Sequence, residues 1–345
     1  MGLTTITKKE LLYFSLRNQH LLEKANKSTV VSDLCGLQAQ FANNPKYALR
    51  IRAGDFSEKD WGDGLIKLWS FRSTIHAIKI CEAGLFLSAR GVPDKWENLR
   101  GGLDKEVKDY WSRYIYECIA EGINGREELK ESCRKKGMRQ EVLERVFDGW
   151  GGLLKEMCNR GMIAYDIGTA KRFVILDRPE FISMEKARAC FVERYFKAFA
   201  PATLNDCASF TGYKKREILK LIEEYGIALK SIVCEGAEYF YLNGLSGDCK
   251  IPACIYLAGF DQMIMGYRDR SRLMDAENQR DVITNSGIVH PTVLLDGRLQ
   301  AKWKKDGSRL IITPFSKLSE KKRKLVASGG KKLFSNAIEN VVFAD

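Results

Sequence analysis

The chain reads as an α+β protein: tandem winged-helix (helix-turn-helix) units packed together, followed by a C-terminal antiparallel β meander or barrel. Three observations predict this. Helix signals and short strand pairs recur in a similar order through the first 245 residues, and Asp-Gly pairs separate apolar runs in the last hundred. The composition, 45% hydrophobic and 29% charged over 345 residues, is that of a globular chain.

Taken in order, Thr7 and Glu10 form a capping box ahead of Leu11, Leu12 and Leu16. A second helix is expected from Ser28, burying Val31, Leu34, Leu37 and Phe41, with Asn43-Asn44-Pro45 stopping it. Residues 68–78 alternate as one strand, Trp69, Phe71 and Ile75 on one face and Arg72, Thr74 and His76 on the other. A second unit follows: a helix over 112–121, a short helix from Arg126, a turn at Lys135-Lys136-Gly137, and a long helix carrying Val142, Val146 and Leu153. A hairpin of 163–165 with 172–176 closes it. Within it, Gly149-Trp150-Gly151-Gly152 reads as a bend or packing site, because no Gly-Lys-Ser/Thr follows to make a phosphate loop. In a third unit Pro201-Ala202-Thr203 caps a short helix, Thr211-Gly212 turns, and a helix over 214–224 precedes strands at 228–233 and 239–242. In the last region Val293-Leu294-Leu295, 299–303 and 310–313 flank Asp296-Gly297 and Asp306-Gly307. A basic tail follows, where Lys317, Lys321, Lys322, Arg323, Lys324, Lys331 and Lys332 meet one acid, Glu320. The expected domains are 1–110, 111–185 and 186–245, each a winged-helix unit, and a β-rich 246–345.

Charge points to the partner. Lys and Arg number 56 against 44 Asp and Glu, a net +12 that favours a polyanion such as nucleic acid or an acidic membrane surface. Lys214, Lys215 and Arg216 open the recognition helix of the third unit, where cations contact phosphates without reading sequence. A solvated helix start is the plain alternative. No apolar run is long enough for a membrane span, no secretory leader is expected, and Ile6 stands where a myristoylation signal needs Ser or Thr. Ten scattered cysteines without a Cys-x-x-Cys pair read as reduced thiols of a cytosolic protein. His20, His76 and His290 lie far apart, and the closest cysteines, Cys249 and Cys254, are five positions apart, so no metal and no cofactor is expected. There is no Gly-x-Ser-x-Gly elbow and no carboxylate pair at a clear acid/base spacing.

One segment stands out: Cys35-Gly36-Leu37-Gln38-Ala39-Gln40-Phe41. On a helix Gln38 and Gln40 lie about 200° apart and share no site; on extended backbone i and i+2 point the same way. Pro45 is close enough for the helix to unwind here, so the pair is either two exposed amides or a convergent one.

In this segment and in several later blocks the chain resembles the AlkZ/YcaQ-type winged-helix DNA glycosylases, bacterial enzymes that unhook or excise alkylated purines. Gln38-Ala39-Gln40 looks like the family's Gln-apolar-Gln block, and Arg72, Thr74 and His76 like its Arg-x-Thr-x-His strand. Residues 194–213 and 257–270 are similar to its later blocks, and 287–303 to its terminal hairpin. Gln40 places the chain nearer the AlkZ-like branch, the YcaQ-like branch having aspartate there. Leu257-Ala258-Gly259 departs from the usual Leu-Pro-x, and His290 stands where an arginine or another residue is common.

The resemblance implies a monofunctional glycosylase that hydrolyses the N-glycosidic bond of cationic N7- or N3-alkylated purines, with unhooking of interstrand crosslinks a further expectation. Gln38 and Gln40 would be catalytic, positioning the water. Arg72 and His76 would touch lesion or phosphate, a satisfied structural histidine being the alternative for His76. Asp261 would complete the pocket or hold a loop, and Arg298, beside the Asp296-Gly297 tip, would reach a DNA groove. The partner would be double-stranded DNA carrying alkylated purines, bound by a monomer in the bacterial cytoplasm. The competing reading is a winged-helix DNA-binding protein, regulatory or architectural, without catalysis; an RNA-binding accessory role has only the charge behind it.

Overall fold

The first helix, α1 (Lys8–Asn18), starts at its capping box: the Glu10 N–H donates to Thr7 Oγ1 at 3.2 Å and the Thr7 N–H to the Glu10 carboxylate at 2.8 Å. Its Leu11, Leu12 and Leu16 are buried. The computed structural model describes residues 4–92, 102–149, 152–168 and 171–344. No helix among them is long and apolar enough to cross a membrane. The chain divides into a discontinuous unit, Met1–Trp61 with Ala189–Asp345, and a middle unit, Gly62–Arg188.

In the discontinuous unit α2 (Lys27–Asp33) is shorter than the sequence suggests. Cys35 and Gly36 take left-handed backbone (φ 54 and 80), and their N–H groups donate back to Ser32 and Val31, a Schellman closure. The chain is then extended at β1 (Leu37–Gln38). Leu37 is buried there, but Phe41 does not continue the apolar stripe and is 46% exposed. Asn43-Asn44-Pro45 begins a helix instead of ending one: α3 (Asn43–Arg52) carries Pro45 in its first turn, where a missing N–H costs nothing.

The middle unit holds β2 (Leu65–Trp69), β3 (Ile75–Lys79), α4 (Ala83–Arg90), α5 (Lys105–Ala120), α6 (Arg126–Lys135), α7 (Gln140–Val146), α8 (Leu153–Asn159), β4 (Ile163–Asp166) and β5 (Phe173–Ile175). Its strands pair antiparallel in the order β3-β2-β4-β5. The α5–α8 helices close on Ile115, Leu129, Cys133, Leu143, Val146 and Met157. Residues 68–78 are therefore two strands and not one, reversed through a turn with Arg72 and Ser73 at φ 50 and 55. The expected long helix is two, α7 and α8. Near the break Gly152 lies so close to the Arg145 and Val146 carbonyls that a Cβ would sit 2.5 Å from each; Trp150 and Gly151 lie outside the described residues.

From α9 (Met184–Ala198) the third helix-turn-helix follows. α10 (Leu204–Thr211) is capped by a Thr203–Asp206 box and ended by left-handed Gly212, and α11 (Lys215–Glu224) leads into the wing β6 (Lys230–Cys234) and β7 (Ala237–Tyr241). Its core is aromatic, with Tyr195 stacked on Phe199 at 4.8 Å and Phe210 against both.

The C-terminal elements are β8 (Cys254–Leu257), α12 (Gln262–Met265), α13 (Gln279–Val282), β9 (Thr292–Leu295), β10 (Arg298–Asp306), β11 (Arg309–Pro314), α14 (Glu320–Phe334) and β12 (Asn340–Phe343). The sheet order is β12-β11-β10-β9-β8. This is an open sheet and not a closed barrel: β8 to β11 are antiparallel, and α14 crosses over so that β12 joins β11 in parallel. Asp296 and Gly297 (φ 48 and 82) form the expected tight hairpin between paired Leu295 and Arg298. The next turn is shifted by one residue, since Asp306 pairs with Arg309 and leaves Gly307-Ser308 as the loop. Val293, Leu295, Trp303, Leu310, Ile312 and Val326 form the core beneath.

Candidate active site and nucleic-acid interface

The glutamine segment is fixed at both ends. At its entry the Gln262 amide, itself buried, donates to the carbonyls of Gly36 (2.6 Å) and Leu34 (3.4 Å). These are carbonyls of the turn that ends α2, which no helical N–H satisfies. At its exit α3 is anchored through Arg52. The Arg52 guanidinium meets Asp261 in a two-pronged pair at 2.6 and 2.9 Å, both side chains fully buried, and its Nε–H donates to the Gln19 carbonyl. Asp261 also accepts the N–H groups of Ala258 and Met263, capping α12. Every oxygen of Asp261 is thus engaged inside the protein. Its carboxylate holds a loop and is not turned toward a pocket.

Between these anchors Gln38 and Gln40 stand off any helix, on extended and bent backbone. Gln38 is 4% exposed and its Oε1 accepts no hydrogen bond among the described residues. Gln40 is exposed. The two amides therefore sit at different depths, one in the wall of the protein and one at its surface.

In the middle unit Arg72 and His76 do not share a strand face as alternation implied. Arg72 is an exposed turn residue, whereas His76 is 1% exposed on β3, edge-on to Phe71. Burial first, and then the charge of Arg72, push His76 down to about 3, so its imidazole is neutral at neutral pH. Its Nε2 has no partner among the described residues.

Lys214, Lys215 and Arg216 are all exposed around the start of α11. Arg298 is differently placed. It donates to the Ser271 carbonyl and pairs with Asp275, while Asp296 beside it pairs with Lys322 at 3.2 Å. The Asp296-Gly297 tip packs close to Leu12, where a Cβ on Gly297 would lie 3.1 Å from Leu12 Cδ2. In this structure Arg298 is thus engaged with groups of its own unit, through a hydrogen bond and an ion pair that remain solvent-exposed.

Beside Gln40 lies a cleft of about 450 Å³, lined among others by Phe41, Asn44, Phe260, His290, Trp303 and Lys304. Sequence reasoning missed this cleft and Gln262. The only available signals were Phe41 following Gln40 and Gln262 following Asp261 in the similar block.

A helix-turn-helix with a wing and exposed basic residues at the start of its second helix has the features of a protein that acts on nucleic acid. A family model, "DNA glycosylase AlkZ-like", matches residues 31–334, and the chain belongs to that family. It is a DNA glycosylase, and DNA is its partner; a purely regulatory role is set aside. Among similar proteins, the "Interstrand DNA cross-link repair glycosylase" of Streptomyces sahachiroi is 25% identical over 318 residues, covering 84% of each chain. The solved structure of the Streptomyces sahachiroi DNA glycosylase AlkZ has the same fold, with a TM-score of 0.77 and 23% identity over 99% of this chain and 100% of that one.

Proposed function

We propose that the protein, acting as a monomer in the cytoplasm, hydrolyses the N-glycosidic bond of cationic N7- or N3-alkylated purines in double-stranded DNA. Water adds to C1′, the C1′–N9 bond breaks, and the alkylated base departs as a neutral leaving group while the added water gives its proton to solvent. Because alkylation has already made the base a good leaving group, no strong acid or base is required. What remains is to aim a water and to steady an oxocarbenium-like sugar.

A glutamine cannot deprotonate water at neutral pH, but its carbonyl can accept from one while its NH₂ donates elsewhere. Such positioning supplies up to about 7–11 kcal/mol at the ideal limit. The observation that carries this reading is Gln38: buried, clamped just upstream by Gln262, with an acceptor oxygen that no group among the described residues satisfies. Gln40, at the surface two residues on, is assigned to the sugar or to the same water. Arg72, exposed, is assigned to lesion or phosphate; His76, buried and neutral, takes the structural role that the sequence left as its alternative; and Lys214, Lys215 and Arg216 are assigned to the DNA backbone.

The relative from Streptomyces sahachiroi is named for crosslink repair, and we extend crosslinked purines to this chain as a further substrate. Single-turnover release of 7-methylguanine from duplex DNA tests the assignment. Gln38→Ala and Gln40→Ala should each slow release by tenfold or more with unchanged DNA affinity; wild-type rates in both variants overturn it. A crosslinked duplex in the same assay decides the extension.

A further inference from the structure

We propose that the cleft beside Gln40 is a stacking site for an unpaired nucleobase of the bound DNA, with Phe41 as its platform. Phe41 follows Gln40 directly and leaves 46% of its surface in solvent at the edge of the cleft. It is not loose. Its ring stacks on Phe260 at 5.6 Å and 26°, so it is braced there while nearly half of its surface stays in solvent. A braced ring with exposed surface is the geometry that receives a base, because every base has a π-face.

The surroundings fit the same occupant. The cleft, about 450 Å³, lies within the roughly 300–1,000 Å³ of small-molecule sites. Its floor is Trp303, whose ring N–H is already satisfied by the Leu257 carbonyl at 3.0 Å. Lys304 is exposed at its rim, where a phosphate flanking the stacked base would lie, and Lys305 also lines it. Charge and aromatic surface together favour a nucleotide over an apolar peptide.

Asn44 supplies an amide for a base edge, and Gly259 makes room for it: a Cβ at 259 would stand 2.7 Å from Asn44 Oδ1. Gly259 belongs to Leu257-Ala258-Gly259, the stretch in which this sequence departs from the family pattern. The departure thus borders the proposed stacking site.

This site rests on DNA being the substrate but not on the glutamine chemistry. The test uses the full-length protein and an undamaged single-stranded oligonucleotide with one central 2-aminopurine, whose emission falls when it stacks on an aromatic ring. Wild type should quench it. Phe41→Ala should weaken binding about 5- to 150-fold and abolish the quench, while Phe41→Tyr keeps both. Lys304→Ala should weaken binding without changing the quench at saturation. Equal affinity and equal quenching in wild type and Phe41→Ala overturn the proposal and leave the cleft to another occupant. Because the probe carries no lesion, wild type that quenches but releases no 7-methylguanine refutes the glutamine chemistry alone. Release of 7-methylguanine with no dependence of binding on Phe41 refutes the stacking site alone.

Discussion

Replacing Asp261 by asparagine keeps the side chain's shape and removes its charge, and the structure shows what that does. Four N–H groups converge on the two Asp261 oxygens: Oδ1 takes one from Arg52 and one from Met263, Oδ2 one from Arg52 and one from Ala258. An amide must present its NH₂ to one of these donor pairs, whichever way it is turned. Arg52, with no solvent exposure, then keeps its buried charge with no counter-charge, its remaining partners being one neutral amide oxygen and the Gln19 carbonyl. Breaking a buried ion pair from one side costs about 3–5 kcal/mol, a large part of the roughly 5–15 kcal/mol that holds a typical domain together. Urea unfolding followed by tryptophan fluorescence measures it. The internal control is Glu193→Gln, which removes an exposed Lys197 pair (47% and 45% exposed) and should fall within about 1 kcal/mol of wild type. Should Asp261→Asn also cost less than about 1 kcal/mol, the pair behaves as a surface bridge and the argument that it anchors α3 fails. The Arg52→Met/Asp261→Asn double variant should recover part of the loss, since no lone buried charge remains.

Three further outcomes are expected. With its imidazole held near 3 in the fold against about 6.5 when unfolded, His76 takes up a proton on unfolding between those values, so its contribution is full above pH 6.5 and lost as pH falls. Between pH 7 and pH 5 this amounts to about 2 kcal/mol, and His76→Gln should flatten the pH dependence of the urea midpoint by that amount; an unchanged slope would show the imidazole is not held neutral. Changing Lys214, Lys215 and Arg216 together to alanine should reduce the slope of log affinity against log salt by about 0.9 for each phosphate contact removed, and a slope equal to wild type would place DNA elsewhere. Gln262→Leu strips the donor from the Gly36 and Leu34 carbonyls; it should lower the excision rate while DNA affinity stays at wild type, with about 1–3 kcal/mol of stability lost. Wild-type excision in that variant would show that the entry clamp does not position Gln38.

What the sequence disclosed was local. The Thr7 box, the cap at Thr203, the α10–α11 turn at Gly212 and the Asp296-Gly297 hairpin all depend on residues a few positions apart, and they stand where short-range signals put them. Errors arose where a periodic apolar pattern ran through a backbone reversal. Left-handed Cys35 and Gly36 cut α2 short although Leu37 and Phe41 keep helical spacing, and Arg72-Ser73 folds an apparently continuous strand back on itself. Gln38 and Gln40 were legible as a pair only through the block around them; their different depths depend on packing. Asp261 was visible as a charged residue, but its partner lies 209 positions away, and Gln262 is as far from the carbonyls it holds. Nothing in a single sequence spaces such partners.

The reach of that amide has a consequence for how the protein is made. Gly36 and Gln262 are separated by 226 positions, so a ribosome adding about 5–20 residues per second delivers the second some 10–45 s after the first. Throughout that interval the nascent glutamine stretch has its local Schellman closure but lacks the two hydrogen bonds from Gln262. A polypeptide released before position 261 would carry Gln38-Ala39-Gln40 without either of the anchors that hold the stretch in the full chain.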